Sequence, residues 1–260
     1  MIEVIKSYFC LNKKFLVYNL VDRNMKVKYR RSLLGVFWTI LGPISLALVY
    51  FLVFKVILKV DKPNYLLLVV GGVMAWNLFA QTVGEALSHY VDRQGLITKI
   101  YFPIQAFNIT TTMTNAITLI SSVPILIGIA FWDGVQPSYH LLLMPYYLTC
   151  LGLFTYACSI VVAWLYVFFR DLRQIIGIIL QLLFYGTPVL YTLDMVPEKF
   201  RWIFVYNPLA TMISGVQNSV LGQYTHTVLQ EIIMLTWVVV MSIIAAYLVV
   251  KKRTPVVENL

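Results

Sequence analysis

The stretch that most limits what this chain can become is an uncharged run from Ser32 to Phe54, entered directly after Lys26, Lys28, Arg30 and Arg31. As a helix, such a run is long enough to cross a hydrocarbon core of about 30 Å. Lysine and arginine beside a span are retained on the cytoplasmic side, so the abrupt join predicts both a membrane boundary and an orientation. Gly42-Pro43 falls inside the run. A soluble helix would break there, whereas in a bilayer neighbouring helices re-satisfy the freed carbonyl.

The rest of the chain repeats this pattern. Of its 260 residues 60% are hydrophobic and 12% charged, against about 25% charged in a soluble domain. The predicted fold class is an all-α polytopic membrane protein, a single transmembrane domain over 1–260. Six transmembrane helices are predicted, at roughly 32–54, 64–87, 104–131, 139–168, 174–193 and 228–250. Gly71-Gly72 in the second allows close helix approach. The third is rich in Thr, Asn and Ser, which face other helices or water rather than lipid.

Residues 1–31 alternate Ile5, Tyr8, Phe9, Leu16 and Leu20 with Lys6, Lys13, Lys14 and Arg23. This reads as an N-terminal amphipathic interfacial helix meeting anionic lipid, or as a plain topogenic anchor. Charges interrupt the apolar residues, so a cleavable signal is not expected. The stretch 203–223 is uncharged but polar, with Asn207-Pro208, Ser214, Gly215, Gln217 and Asn218. It makes a poor lipid-facing span, and a short re-entrant or half-spanning pair of helices before the last span is expected instead.

Charge placement tests this layout. With both termini cytoplasmic, fifteen Lys and Arg lie inside and five outside: Lys55, Lys59, Lys62, Lys199 and Arg201. The net charge of +9 thus follows topology rather than nucleic-acid binding.

No enzyme site emerges. The chain has no glycine-rich phosphate loop, and His89, His140 and His226 are scattered. Cys10, Cys150 and Cys158 have no metal-binding spacing and read as packing residues. Asp194 and Glu198 sit beside Lys199 and Arg201, where surface ion pairing is expected. The deep spans lack the buried carboxylates that an ion-coupled carrier uses. What they hold is rings, including Phe37, Trp38, Tyr50, Phe51, Phe54, Trp76, Phe79, Phe184, Tyr185 and Tyr191. These are belt and packing residues, or the lining of a conduit whose flat faces let a sugar chain slide. The short charged connectors 88–103 and 168–174 are ordinary inner loops, or levers on which a soluble motor acts.

Several local patterns carry a resemblance. Tyr29-x-Arg31-Ser32-Leu33-Leu34-Gly35-x-x-Trp38 enters the first span, with Pro43 inside it. Phe169-Arg170-Asp171 follows the fourth, and Thr187-Pro188-Val189 and Tyr206-Asn207-Pro208-Leu209 come later. Over essentially its whole length the chain resembles ABC-2 type exporter permeases. The nearest set moves polysaccharide or polyol-phosphate polymers: O-antigen (Wzm-type), teichoic acid and capsule exporters.

That resemblance implies a bacterial inner-membrane homodimer paired with a separate ABC ATPase subunit. ATP and magnesium would belong to that ATPase, with no cofactor in this chain. It implies undecaprenyl-pyrophosphate-linked polysaccharide as cargo, with Lys28, Arg30 and Arg31 at the headgroup entrance. Arginine suits phosphate contact, although inner-leaflet phospholipid accounts for the same residues. It further implies a glycan conduit along Phe37, Trp38, Tyr50, Phe51, Phe54, Tyr185 and Tyr191. Asp92, Arg93, Gln94, Lys99, Arg170 and Asp171 would couple to the ATPase, and Pro197, Trp202, Asn207 and Pro208 would form the outer gate. The rivals are a permease for small lipophilic cargo and a membrane-embedded lipid-linked sugar transferase. The transferase would need an acidic pair near a membrane face, and none stands out.

Overall fold

A computed structural model describes residues 15–26, 37–57, 59, 62–97, 103–136 and 138–251. Among these residues the secondary structure is helical, with no strand. Helix α1 covers 15–26. Helix α2, Phe37–Phe51, continues into a π-helical segment, Leu52–Ile57. Then come α3 (Tyr65–Ala86), two short helices α4 (His89–Asp92) and α5 (Gln94–Ile97), and α6 (Gln105–Trp132). A 3-10 turn, Tyr139–Leu143, leads into α7 (Met144–Phe168), followed by α8 (Leu172–Tyr185). Helices α9 (Glu198–Tyr206), α10 (Pro208–Leu221) and α11 (Val228–Lys251) complete the chain.

Among the described residues, four segments are long and apolar enough to cross a membrane: Tyr65–Ala86, Gln105–Trp132, Tyr139–Phe168 and Val228–Val250. Ile44–Ile57 and Leu172–Tyr185 are apolar but shorter. The structure therefore differs from the expected fifth span of 174–193, because helix α8 stops at Tyr185. The chain leaves the helix at Gly186, and Thr187, Pro188, Val189 and Leu190 pass through the interior in non-helical form, all buried.

Helix α3 is the hub. It packs against α2, α6, α7, α8 and α10, and its buried residues run from Tyr65 to Ala86. Helix α6 solves a different problem, how to bury hydroxyls without water. Thr110, Thr112, Thr114 and Thr118 each donate to the carbonyl four residues back, at 2.5, 2.9, 2.8 and 3.1 Å. Each hydroxyl is satisfied inside its own helix, so the threonine face packs as an apolar one would. Asn115 Nδ2 reaches across to Thr82 Oγ1 of α3 at 3.1 Å. Pro145, within the expected fourth span, stands in the first turn of α7, where a missing N–H costs nothing.

The polar stretch expected to be re-entrant forms α9 and α10. Asn207 caps α10, its Oδ1 accepting from Leu209 N at 3.0 Å, and Pro208 fills the first turn. Gly222, at φ 70°, ends the helix in the left-handed conformation that glycine adopts without strain. Helix α10 is about 21 Å long at 1.5 Å per residue, short of a full crossing. It is nonetheless core: Leu209 through Gln217 are all buried.

The buried segment after α8 would leave unpaired carbonyls at membrane depth, a cost of several kcal/mol each. Side chains pair them. Asn207 Nδ2 donates to Gly186 O at 3.2 Å, Gln217 Nε2 to Val189 O at 3.0 Å, and Tyr65 Oη to Leu190 O at 2.6 Å. Gln217 Nε2 also donates to Leu68 O of α3 at 3.1 Å. Gly72 permits this approach, because a Cβ there would collide with Val189 O and the Gln217 amide. Gly71 has only ordinary contacts, the nearest at 3.8 Å. Gly72→Ala is expected to destabilise the protein by about 1–3 kcal/mol through overpacking, while Gly71→Ala is tolerated. Thermal unfolding of both variants in the same detergent checks this; equal melting temperatures would contradict it.

Candidate functional site

The face formed by α2, α3 and α8 carries the ring cluster. A cavity of about 360 Å³ opens there, lined by Tyr50, Trp76, Asn77, Gln181, Phe184 and Tyr185 among others. Phe184 is the centre. Its ring lies 5.7 Å from Tyr50, 5.5 Å edge-on from Trp76 and 5.2 Å edge-on from Tyr185. These separations fall in the range where aromatic edges and faces attract. The rings continue inward through Trp76–Phe79 at 5.8 Å and Phe79–Phe154 at 6.1 Å. They continue toward α9 because Tyr191 Oη donates to Tyr185 O at 2.6 Å and the Tyr191 ring meets Phe204 of α9 at 6.0 Å.

Of the residues expected to line a conduit, Tyr50 and Tyr185 lie at this cavity and Tyr191 one step beyond it. Phe51 is half-buried against the main core. Phe54 faces Tyr65 at 6.4 Å, away from the cavity lining. The side chains of Phe37 and Trp38, and all of Lys28, Arg30 and Arg31, lie outside the described residues. Asn77 and Gln181 went unnoticed in the sequence. Each is one amide in an apolar helix, and only the meeting of α3 with α8 brings them together. Helix α8 has no buried residue, and Ile175, Ile178, Ile179 and Leu182 are exposed.

At the α4–α5 end, Tyr90 keys the short helices to the long ones. Its buried hydroxyl donates to Asn108 Oδ1 at 2.9 Å, and Asn108 Nδ2 donates to Ser159 Oγ at 3.2 Å. One chain of bonds thus joins α4, α6 and α7. Arg93 lies 4.6 Å over the Phe107 ring. Burial, with Arg23 of α1 nearby, holds its guanidinium below the usual arginine range against the pull of Asp92. Asp92 and Gln94 are exposed, and Lys99 lies outside the described residues. Arg170 and Arg173 both lie over Tyr166, at 5.4 and 5.5 Å, while Asp171 is exposed just before α8.

At the opposite end, Pro197 precedes α9, Trp202 on α9 is exposed, and Asn207-Pro208 opens α10. Asp194 pairs with Lys62 at 2.5 Å rather than with its sequence neighbours, while Glu198 meets Arg201 at 3.8 Å as expected. The scattered histidines acquire partners. His226 is buried, with Nε2 2.8 Å from Ser214 Oγ and Nδ1 3.1 Å from Tyr147 Oη. Tyr147 donates in turn to Glu231 Oε1 at 2.6 Å. Burial lowers the His226 pKa, and neighbouring Glu231 does not reverse it.

The comparisons fit this architecture. Residues 16–221 match the family model described as ABC-2 type transporter, and the chain belongs to that family. It is 34% identical over 195 residues to an O-antigen export system permease protein, RfbA, of Klebsiella pneumoniae, covering 75% of each chain. It is 33% identical over 204 residues to the RfbA of Myxococcus xanthus, covering 78% of each. The chain is a multi-pass membrane component of a transporter rather than a catalytic subunit.

His89 gives this site a pH dependence. It is buried, bonded through Nε2 to Thr111 Oγ1 at 3.2 Å, and burial lowers its pKa from 6.5 to about 4, aided by Arg93 against Asp92. The unfolded chain binds this proton more readily than the folded one. Stability contributed here is therefore full above about pH 6.5 and falls as pH drops toward 4, by at most about 3 kcal/mol. Hydrogen exchange of residues 88–97 is expected to accelerate over that window, and His89→Gln to flatten the response. An unchanged pH profile in the variant would contradict the assignment.

Proposed function

We propose that the chain is the permease subunit of an ATP-driven exporter of O-antigen-type polysaccharide across the bacterial inner membrane. The observation that carries this reading is the ring-lined cavity on the face of α2, α3 and α8, with its two amides. Rings offer apolar faces to sugar C–H groups, and amides offer hydrogen bonds at their edges. The export permeases named among the relatives support the same choice of cargo.

In this reading α2 with its π-helical extension and α8 are the first and fifth of six spans. The exposed apolar surface of α8 meets lipid or a second copy of the chain. In a homodimer the two ring-lined cavities face a common seam, which becomes the conduit. Both termini are cytoplasmic, which places α4, α5 and the 168–173 turn beside a separate ABC ATPase. Asp92, Arg93, Gln94, Lys99, Arg170 and Asp171 meet that ATPase, which holds the ATP and magnesium. The Tyr90–Asn108–Ser159 bonds carry its movement into α6 and α7. Lys28, Arg30 and Arg31 receive the pyrophosphate of an undecaprenyl-linked glycan. Pro197, Trp202, Asn207 and Pro208 belong to the gate at the outer mouth.

The test is reconstitution of the chain with its candidate ATPase in vesicles. A two-plus-two complex whose hydrolysis is stimulated by lipid-linked glycan is expected. Tyr50→Leu with Tyr185→Leu is expected to lower glycan export about tenfold, from the loss of two ring contacts, while the complex still assembles. Hydrolysis indifferent to glycan, or export unchanged in the double variant, would overturn the reading.

A further inference from the structure

A second cavity, of about 230 Å³, lies at the end of the bundle where α3 begins and α10 ends. It is separate from the ring-lined face and shares no lining residue with it. Its walls come from three parts of the chain: the turn before α3, the segment preceding α9, and α10 with the loop after it. The polar lining includes Asn64, Thr192, Ser214, Gln217, Gln223 and Thr225.

Several polar side chains from separate elements converge on it. Gln217 is 2% exposed. Its amide nitrogen is committed to Leu68 O and Val189 O. Thr192 hydrogen-bonds the neighbouring Asp194 carboxylate. Amides and hydroxyls brought together around one cavity point to a polar ligand. Asn64, held at φ 54°, begins α3 without using its side chain as a cap. Ser214 is fixed from behind by His226 Nε2 at 2.8 Å, which orients its hydroxyl oxygen.

The chemistry of the lining selects the ligand. Lys62 and Asp194 pair with each other at 2.5 Å at the rim, so the cavity offers no net charge. Asp194 is the one carboxylate among the described lining residues, which is too little for a divalent cation. Amides and hydroxyls in alternation donate and accept at many angles. Pro63, Leu68 and Leu193 supply apolar wall between them. We infer that this cavity binds a single neutral sugar unit, through its hydroxyls, at the mouth of the permease.

The inference takes its ligand class from the proposed polysaccharide export, but the cavity and its polar lining stand independently of it. In the exporter the cavity holds one unit of the emerging chain beside α10, the helix on which the gate residues Asn207 and Pro208 stand. Such a hold, renewed as each unit passes, would oppose backsliding between strokes.

Saturation-transfer NMR on the full chain in lipid nanodiscs tests this with methyl α-glucoside, α-mannoside and α-galactoside as probes. Transfer to at least one probe is expected. Asn64→Gly with Gln223→Ala removes two side chains while keeping the left-handed turn and the core. It is expected to weaken binding about tenfold or more, as two lost hydrogen bonds imply. Tyr50→Leu with Tyr185→Leu should leave that signal in place. No transfer to any probe, or a signal lost only in the ring variant, would overturn the inference. Export by the wild-type chain in vesicles is scored separately. Export without cavity binding would reject the cavity alone, and binding without glycan export would reject the export reading alone.

Discussion

The far end of this protein depends on three side chains that pair the carbonyls of Gly186, Val189 and Leu190. Non-helical backbone at membrane depth is excluded unless its polar groups are satisfied. Asn207, Gln217 and Tyr65 satisfy them from three different elements. Because Gln217 also bonds Leu68 O, the same amide pins α10 to α3 and fixes both to the crossing segment. Helix α10 is therefore anchored through the hub rather than hung from a loop. Gly72 is part of the device, since the amide and the Val189 carbonyl occupy the space a side chain would take. A comparable fit holds α10 to α7, where a Cβ at Gly215 would enter the Tyr147 ring.

The other end uses the same physics with different parts. Helices α4 and α5 are too short to be stable alone, since helix nucleation is costly. They persist because Tyr90, His89 and Ile97 are buried and because Tyr90 extends the hydrogen-bond chain into α6 and α7. Between the two ends run α3, α6 and α7, packed on one another. The hydroxyl stripe of α6 can sit in that packing because its donors are spent on its own backbone. In the proposed exporter a displacement of α4 would pass through these bonds to the long helices. This is the mechanical property that a permease driven by a separate motor requires.

How much of this the sequence disclosed follows from how far each signal travels. Apolar runs and their flanking charges are local, so α3, α6, α7 and α11 lie close to the expected spans. Turn chemistry is local too. Asn207-Pro208 marked the polar stretch in sequence, and in the structure it opens α10. The end of α8 was missed because Gly186 to Leu190 is uncharged and follows an apolar run, although Gly186 and Pro188 are local stop signals. The partners of His226 and Asp194 were illegible for another reason. Glu231 and Lys62 become neighbours through packing, and no spacing in the chain announces it. Asn77 and Gln181 are isolated amides within apolar turns of their helices, and they come together only where α3 and α8 meet.

In the proposed exporter the two cavities would divide the work of moving a long polar chain, for reasons their linings supply. A conduit must hold its cargo weakly, since each contact formed has to be broken at the next step. The ring-lined face meets that need: stacking is worth about 0.5–1.5 kcal/mol per pair, and Phe184 with its three neighbours offers broad faces. A mouth has the opposite need, because cargo that has left must not return between strokes. Directional hydrogen bonds suit that need, and the amides and hydroxyls lining the second cavity would supply them. That Gln217 both anchors α10 and faces the second cavity links the two requirements. A ligand bonded to its carbonyl oxygen polarises the amide whose N–H groups hold Leu68 and Val189, so occupancy of the mouth would tighten the same bonds that hold the gate.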